Sequence, residues 1–259
     1  MNDRLGYVRA ADLAGDLMAT AQAAFVAMRP HMAEEAARQE AEAREAEAQA
    51  AVAVTRESRA RLRRADVPEK HEDRLLATGA EGVDLRRPLL VQAAAWHAGN
   101  TRTLVLGGSV GVGKTLTACW LLSQGPRRPF RNPNGDDTRW PAELHPRFVK
   151  ASRLARLDTY KNPELGLIER CCVLVVDEVG GGDVGVPDSW RERLDMLAST
   201  RYDAGLDTVM TGNLSQKDFR EMFGERLYDR VTGHGGKWIE IIGRSLRQPR
   251  RSGGEGATT

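Results

Sequence analysis

Apolar residues follow three regimes along the chain, each predicting a different element. Between Val8 and Met28, the residues Leu13, Leu17, Ala21, Phe25 and Met28 recur at spacings of four and three, which puts them on one face of a helix. Pro30 is expected to end that helix, because it lacks an N–H and its ring collides with the preceding turn. The apolar face either packs on the rest of the chain or docks another protein. From Ala33 to Ala53, ten of 21 residues are Ala and six are Glu, so helix propensity is high while there is little to bury. This stretch is expected to stand in solvent. Its Glu residues come early and Arg56, Arg59, Arg61, Arg63 and Arg64 come at its end, a polarity that complements the helix macrodipole. A solvated spacer accounts for this layout; a nucleic-acid contact through the Arg cluster is the other reading.

After Ala65 the pattern alternates. Asp66-Val67-Pro68 reads as a helix start with Asp66 as candidate cap and Pro68 in the first turn. A helix follows over Arg87 to His97, a strand over Thr103 to Leu106 and a helix after Lys114. Strands are then expected near Phe148 to Ala151, at Cys171 to Val176 and at Thr208 to Thr211, with a helix over Ser189 to Ala204. Strands and helices in turn predict an α/β fold, a parallel sheet flanked by helices. Gly125 to Pro146, rich in Pro, Arg, Asn and Gly, reads as a long loop. The tail from Gln248 lacks apolar residues and is expected to be disordered. The chain thus divides into a helical N-terminal extension over 1–65, an α/β domain over 66–247 and a tail over 248–259.

Composition sharpens this picture. Aromatics make up only 5% of the 259 residues, which argues against an all-β sandwich or barrel. Lys and Arg number 38 against 36 Asp and Glu, a net charge of +2, so no global positive field is present. Cys119, Cys171 and Cys172 form neither a C-x-x-C motif nor an even set, which suits a reducing cytoplasm better than a disulfide framework. Met1 to Ala10 has no apolar signal core, and no stretch approaches the roughly 20 apolar residues that span a bilayer.

The chemistry begins at Gly108-Ser109-Val110-Gly111-Val112-Gly113-Lys114-Thr115, a match to G-x-x-x-x-G-K-[ST] placed between an expected strand and an expected helix. Glycines let backbone N–H groups converge on phosphate oxygens, and the helix N-terminus adds positive potential. Lys114 is suited to the β- and γ-phosphates of ATP, and Thr115 offers a hydroxyl to Mg²⁺. Downstream, the apolar strand Cys171 to Val176 ends in Asp177 and Glu178. A buried parallel strand delivers such carboxylates to a site at its C-terminal end, Asp177 to hold Mg²⁺ through water and Glu178 to polarise the attacking water. Two solvated carboxylates opening a loop is the plainer reading of the same pair.

Three further motifs are Asn213 after the strand Thr208 to Thr211, the run Gly224-Glu225-Arg226-Leu227-Tyr228-Asp229-Arg230, and Gly243-Arg244-Ser245-Leu246-Arg247. With the phosphate loop and acidic strand, they resemble the DnaC/DnaI helicase-loader and IstB transposition-helper family of AAA+ ATPases. The resemblance runs from about Asp66 to Arg247. It implies an AAA+ P-loop fold, with Asn213 as the sensor that positions water, Arg230 as an arginine finger reaching a neighbouring subunit, and Arg247 as a second sensor on the chain's own nucleotide. It also implies ATP-dependent homo-oligomers on DNA, single-stranded in the loader case, with a replicative helicase or a transposase as client. A binding module switched by ATP without turnover is a third reading. Asn213 can donate and accept at once, which suits a held water, whereas an ion pair with Asp229 or Glu225 is the plainer role for Arg230. Gly212 stands where the family commonly has Ser. No basic–aromatic interleaving marks a DNA groove, so Arg61, Arg63, Arg64 and Arg201 are candidate contacts by position alone.

Overall fold

The computed structural model describes the backbone of residues 10–77, 84, 87–127, 144–157, 162–180, 187–233, 235–243 and 245–246. Most of the Gly125 to Pro146 loop and the whole tail from Gln248 lie outside the described residues, as do the side chains of Leu13, Leu17, Ala21, Phe25 and Met28. The chain forms two compact units, Met1–Thr55 and Arg56–Thr259.

The first unit is helical: α1 (Ala10–Arg64) begins in it. Contrary to the sequence expectation, the helix continues through Pro30. The missing N–H and ring clash cost about 3 kcal/mol, but strong helix formers on both sides, among them Met28, Met32, Ala33 and Glu35, carry the helix across. From Gln39 to Thr55 every side chain is exposed, as an Ala/Glu stretch without apolar bulk requires. The pairs Arg38–Glu42 at 3.0 Å and Arg44–Glu40 at 2.6 Å are spaced to support an isolated helix.

The second unit takes in the last turns of α1, because Leu62 and Ala65 are fully buried and Arg59 and Arg63 both pair with the buried Glu72. Asp66 is not a helix cap. It ends α1 in the left-handed region with φ 60°, a conformation Asp tolerates, and its carboxylate accepts from Arg147 at 3.3 Å. Pro68 occupies the cap position of α2 (Glu69–Leu76).

The remaining elements are α3 (Pro88–Ala98), β1 (Thr103–Gly108), α4 (Lys114–Ser123), β2 (Arg147–Lys150), α5 (Ala151–Leu154), α6 (Pro163–Arg170), β3 (Val173–Asp177), α7 (Asp188–Asp203), β4 (Asp207–Thr211), α8 (Gln216–Phe223), α9 (Glu225–Thr232) and β5 (Gly236–Ile241). All the strand pairs are parallel, in the order β2-β3-β4-β1-β5. The period of two along each strand sorts its residues between the two faces. Leu174 and Val176 join Leu194, Phe219 and Leu227 on one face, while Val173 and Val175 join Leu62, Trp96, Leu121 and Leu122 on the other. Helices therefore cover both sides, as parallel strands require.

Arg201 corrects a sequence expectation. It is fully buried and makes no candidate DNA contact. Its guanidinium donates to the Thr208 hydroxyl, to the carbonyls of Ile168, Glu169 and Cys171, and to the Asp207 carbonyl at 2.6 Å. It thereby satisfies the end of α6 and the entries to β3 and β4. Replacing it leaves several buried acceptors without a donor, so Arg201→Met is expected to lower stability by about 3 kcal/mol or more in a urea titration. An unchanged midpoint would contradict this role.

The cysteines are free and buried. Burial pushes Cys172 up to about 12 and raises Cys119 and Cys171 as well, so these thiols are packing groups. Among the described residues, no helix is long and apolar enough to cross a membrane.

Candidate nucleotide site

Sheet order decides which residues meet. Because β4 lies between β1 and β3, the ends of three strands converge on one edge. Leu106 pairs with Thr211 and Val176 with Met210, so the phosphate loop leaving β1, the acidic turn leaving β3 and Asn213 just beyond β4 emerge at the same level. In open parallel sheets this carboxyl edge is where ligands bind. A cavity of about 540 Å³ opens there, lined by Lys114, Thr115, Asp177, Glu178 and Asn213 among others. Of the loop residues, Val110, Gly111 and Gly113 also line it.

The loop's glycines are fixed by backbone conformation, and two of them also by close approach. Gly108, Gly111 and Gly113 have φ of 109°, 80° and 99°, in the region that favours glycine. A Cβ on Gly108 would stand 2.1 Å from the Ile241 carbonyl oxygen, and one on Gly111 2.1 Å from Ser245 Oγ. The segment after β5 holds the loop from outside: Ser109 N–H donates to the Ile241 carbonyl at 3.0 Å and Leu246 N–H to the Gly111 carbonyl at 2.9 Å. Val112 is buried behind it. Gly113 is the N-cap of α4 and brings no capping side chain, and a helix N-terminus of this kind suits an anion.

Lys114 is only 7% exposed. Its Nζ donates to the carbonyls of Gly108 at 2.8 Å and Ser109 at 2.6 Å, and to Asn213 Oδ1 at 2.9 Å. Thr115 Oγ1 donates to Asp177 Oδ1 at 2.8 Å, and Asp177 is 2% exposed. These contacts unite the lysine, the hydroxyl, the acidic strand and the polar residue after β4. A hydroxyl and a carboxylate this close form the hard-oxygen donor pair that Mg²⁺ favours, so the residues present fit that ion.

Glu178 has φ 64°, unusual for a non-glycine residue. Its carboxylate pairs with Lys150 at the end of β2, 3.0 Å away, with both side chains about half exposed. Lys150 falls in the strand expected near Phe148 to Ala151, but its pairing spans 28 positions and no local pattern signals it. Lys70, His71 and Arg74 of α2 also line the cavity. Burial first, then Lys70, pushes the His71 imidazole below its usual range; Lys150 and Arg74 add to this and Asp177 opposes it. At neutral pH that ring is uncharged, with one donor and one acceptor.

Arg230 is not among the residues that line the cavity. It sits on α9, where it pairs with Asp195 of α7 at 2.9 Å while Arg226 reaches the same carboxylate at 3.4 Å. The plainer role as an ion pair thus has a different partner from Asp229 or Glu225; Glu225 pairs with Arg220. Arg247 lies outside the described residues. Of the candidate DNA contacts, Arg61 bonds Glu57 and the Ser123 carbonyl and Arg63 bonds Glu72, both within the protein.

No protein-family profile matches the sequence, and no curated protein matches it. Solved structures do. The DnaC helicase loader superposes with a TM-score of 0.50 at 19% identity, over 67% of this chain and 99% of that one. A putative primosome component from Streptococcus pyogenes serotype M3 gives 0.48 at 16% identity over 70% and 92% of the two chains. DnaI gives 0.46 at 18% over 68% and 93%. At such identities the likeness is one of fold. With the five-stranded parallel sheet, the flanking helices and the glycine-rich loop after β1, the chain has the α/β fold that the DnaC helicase loader also takes.

Proposed function

We propose that this protein is an ATPase that loads a replicative DNA helicase in the cytoplasm, assembling with ATP on single-stranded DNA. One observation carries the ATPase part: Lys114 and Thr115 at the start of α4, Asp177 at the end of β3 and Asn213 beyond β4 line one cavity, with Lys114 bonded to Asn213 at 2.9 Å and Thr115 to Asp177 at 2.8 Å. The loader part draws on the fold shared with a helicase loader and on the motifs quoted from the sequence.

In this reading, the N–H groups from Gly108 to Thr115 bind the phosphates of ATP. Lys114 exchanges its loop carbonyls for β- and γ-phosphate oxygens. Thr115 and Asp177 would hold Mg²⁺, which when bound offsets phosphate charge. Glu178, released from Lys150, accepts a proton from water, and Asn213 orients that water. Arg247 contacts the nucleotide of its own chain. Arg230 leaves Asp195 to offset charge at a neighbouring subunit's γ-phosphate, so that hydrolysis depends on assembly. The extension over 1–65 holds the client.

Arg230→Ala is accordingly expected to bind ATP as the parent does but to lose the assembly-stimulated part of its hydrolysis, read as phosphate release across protein concentration. Normal stimulation would remove the finger role. The loader reading is tested by mixing the full chain with ATP, single-stranded DNA and the hexameric helicase of the same source, then sizing the complex. Association that requires ATP is the expected result. No association contradicts it, and binding to a transposase instead moves the assignment to a transposition helper.

A further inference from the structure

Thr211, the last residue of β4, touches both halves of the acidic turn. Its Oγ1 donates to Asp177 Oδ1 at 2.6 Å and accepts the Glu178 backbone N–H at 3.1 Å. Its carbonyl accepts the Val179 N–H at 2.7 Å. A hydroxyl can do both at once, one proton out and one lone pair in, and here it is 2% exposed, where hydrogen bonds are not shared with water. Thr115 donates to the same Oδ1. Two hydroxyls therefore fix the Asp177 carboxylate through one oxygen, and among the described residues Oδ2 accepts none. On the other side of the turn, Glu178 adopts its left-handed backbone at φ 64° with its N–H held by this hydroxyl. Such a conformation persists where surrounding contacts over-determine it, and Thr211 supplies two of them, through its side chain and its backbone.

We infer that Thr211 is a positioning residue for the acidic pair: its hydroxyl locks the carboxylate of Asp177 so that Oδ2 remains as acceptor, and it holds the backbone from which Glu178 reaches the cavity. The inference rests on the ATPase reading above and adds to it a residue from a third strand. A strand-end hydrogen bond serving stability alone would behave differently on substitution. Valine matches threonine in shape and lacks the hydroxyl. Serine keeps the hydroxyl and lacks the methyl.

The test uses the full chain with Thr211→Val, Thr211→Ser and Glu178→Gln, and reads phosphate release against ATP concentration together with amide exchange at Glu178 and Val179 without nucleotide. For Thr211→Val, kcat is expected to fall roughly 10- to 100-fold while KM stays close to the parent value. The Glu178 amide is expected to exchange roughly tenfold faster, and Thr211→Ser to recover both properties. Thr211→Ala, which removes the hydroxyl without adding a methyl, is expected to follow the valine variant and serves in its place if valine is not accommodated. Parental kcat or parental Glu178 exchange in the hydroxyl-free variants overturns the inference, as does a serine variant as impaired as valine. If Glu178→Gln is impaired and Thr211→Val is not, the positioning role alone fails. If the parent and Glu178→Gln both release phosphate only at the background rate, the ATPase reading fails, and the positioning role with it; if both hydrolyse ATP equally and well above background, Glu178 is not the base and the positioning role fails.

Discussion

Lys114→Ala is expected to abolish useful ATP binding, with affinity falling roughly 100- to 1,000-fold. Removing charge-assisted hydrogen bonds from a dry site costs about 3 to 4 kcal/mol, which corresponds to that factor. The site meets the condition, because Lys114 is buried and its three donors are committed to the Gly108 and Ser109 carbonyls and to Asn213. The loss has two parts. A phosphate ester forfeits its only cation among the loop residues, and the two loop carbonyls and the Asn213 amide oxygen lose the donor that gathers them. Titration with a fluorescent ATP analogue measures the change; affinity within a few-fold of the parent would mean that the loop does not hold phosphate.

The second large effect is expected on chemistry rather than on binding. Glu178→Gln keeps the shape of the side chain but cannot take a proton from water, so hydrolysis should fall about 10²- to 10⁴-fold, the usual share of a general base. Affinity for ATP should stay near the parental value, since among the described residues the Glu178 carboxylate pairs only with the half-exposed Lys150, and such exposed pairs contribute about 0 to 1 kcal/mol. Equal rates near background for the parent and the variant would instead favour a module that uses ATP as an assembly switch.

What the sequence made legible was local. The phosphate loop between β1 and α4, the apolar run of β3 and the helix α7 stand where periodicity and motif placed them, because each signal lies within one short contiguous run of the chain. The edge strand β5 was not read: Gly235 and Gly236 and the mixed run Lys237-Trp238-Ile239-Glu240 obscure its alternation, and its strand identity comes from pairing with β1 more than a hundred positions earlier. The helix α8 did carry a readable sign, the capping box of Ser215 with Asp218.

Partners distant in sequence were the harder part. Arg201 looked like a surface cation until Ile168, Cys171 and Asp207 closed around it. Thr211 read as a strand residue, and its contact with Asp177 spans 34 positions. Arg230 had acidic neighbours along the chain, yet its ion pair is with Asp195, 35 positions away. In each case residue chemistry was visible, while the partner depended on sheet order.

The most direct measurement is amide exchange across the chain with and without ATP and Mg²⁺. The expected result is slowed exchange over residues 108–116 and at the turn 177–179, absent in Lys114→Ala. Exchange unchanged in those two segments, or slowed equally in Lys114→Ala, would contradict a nucleotide site at the carboxyl edge of the sheet.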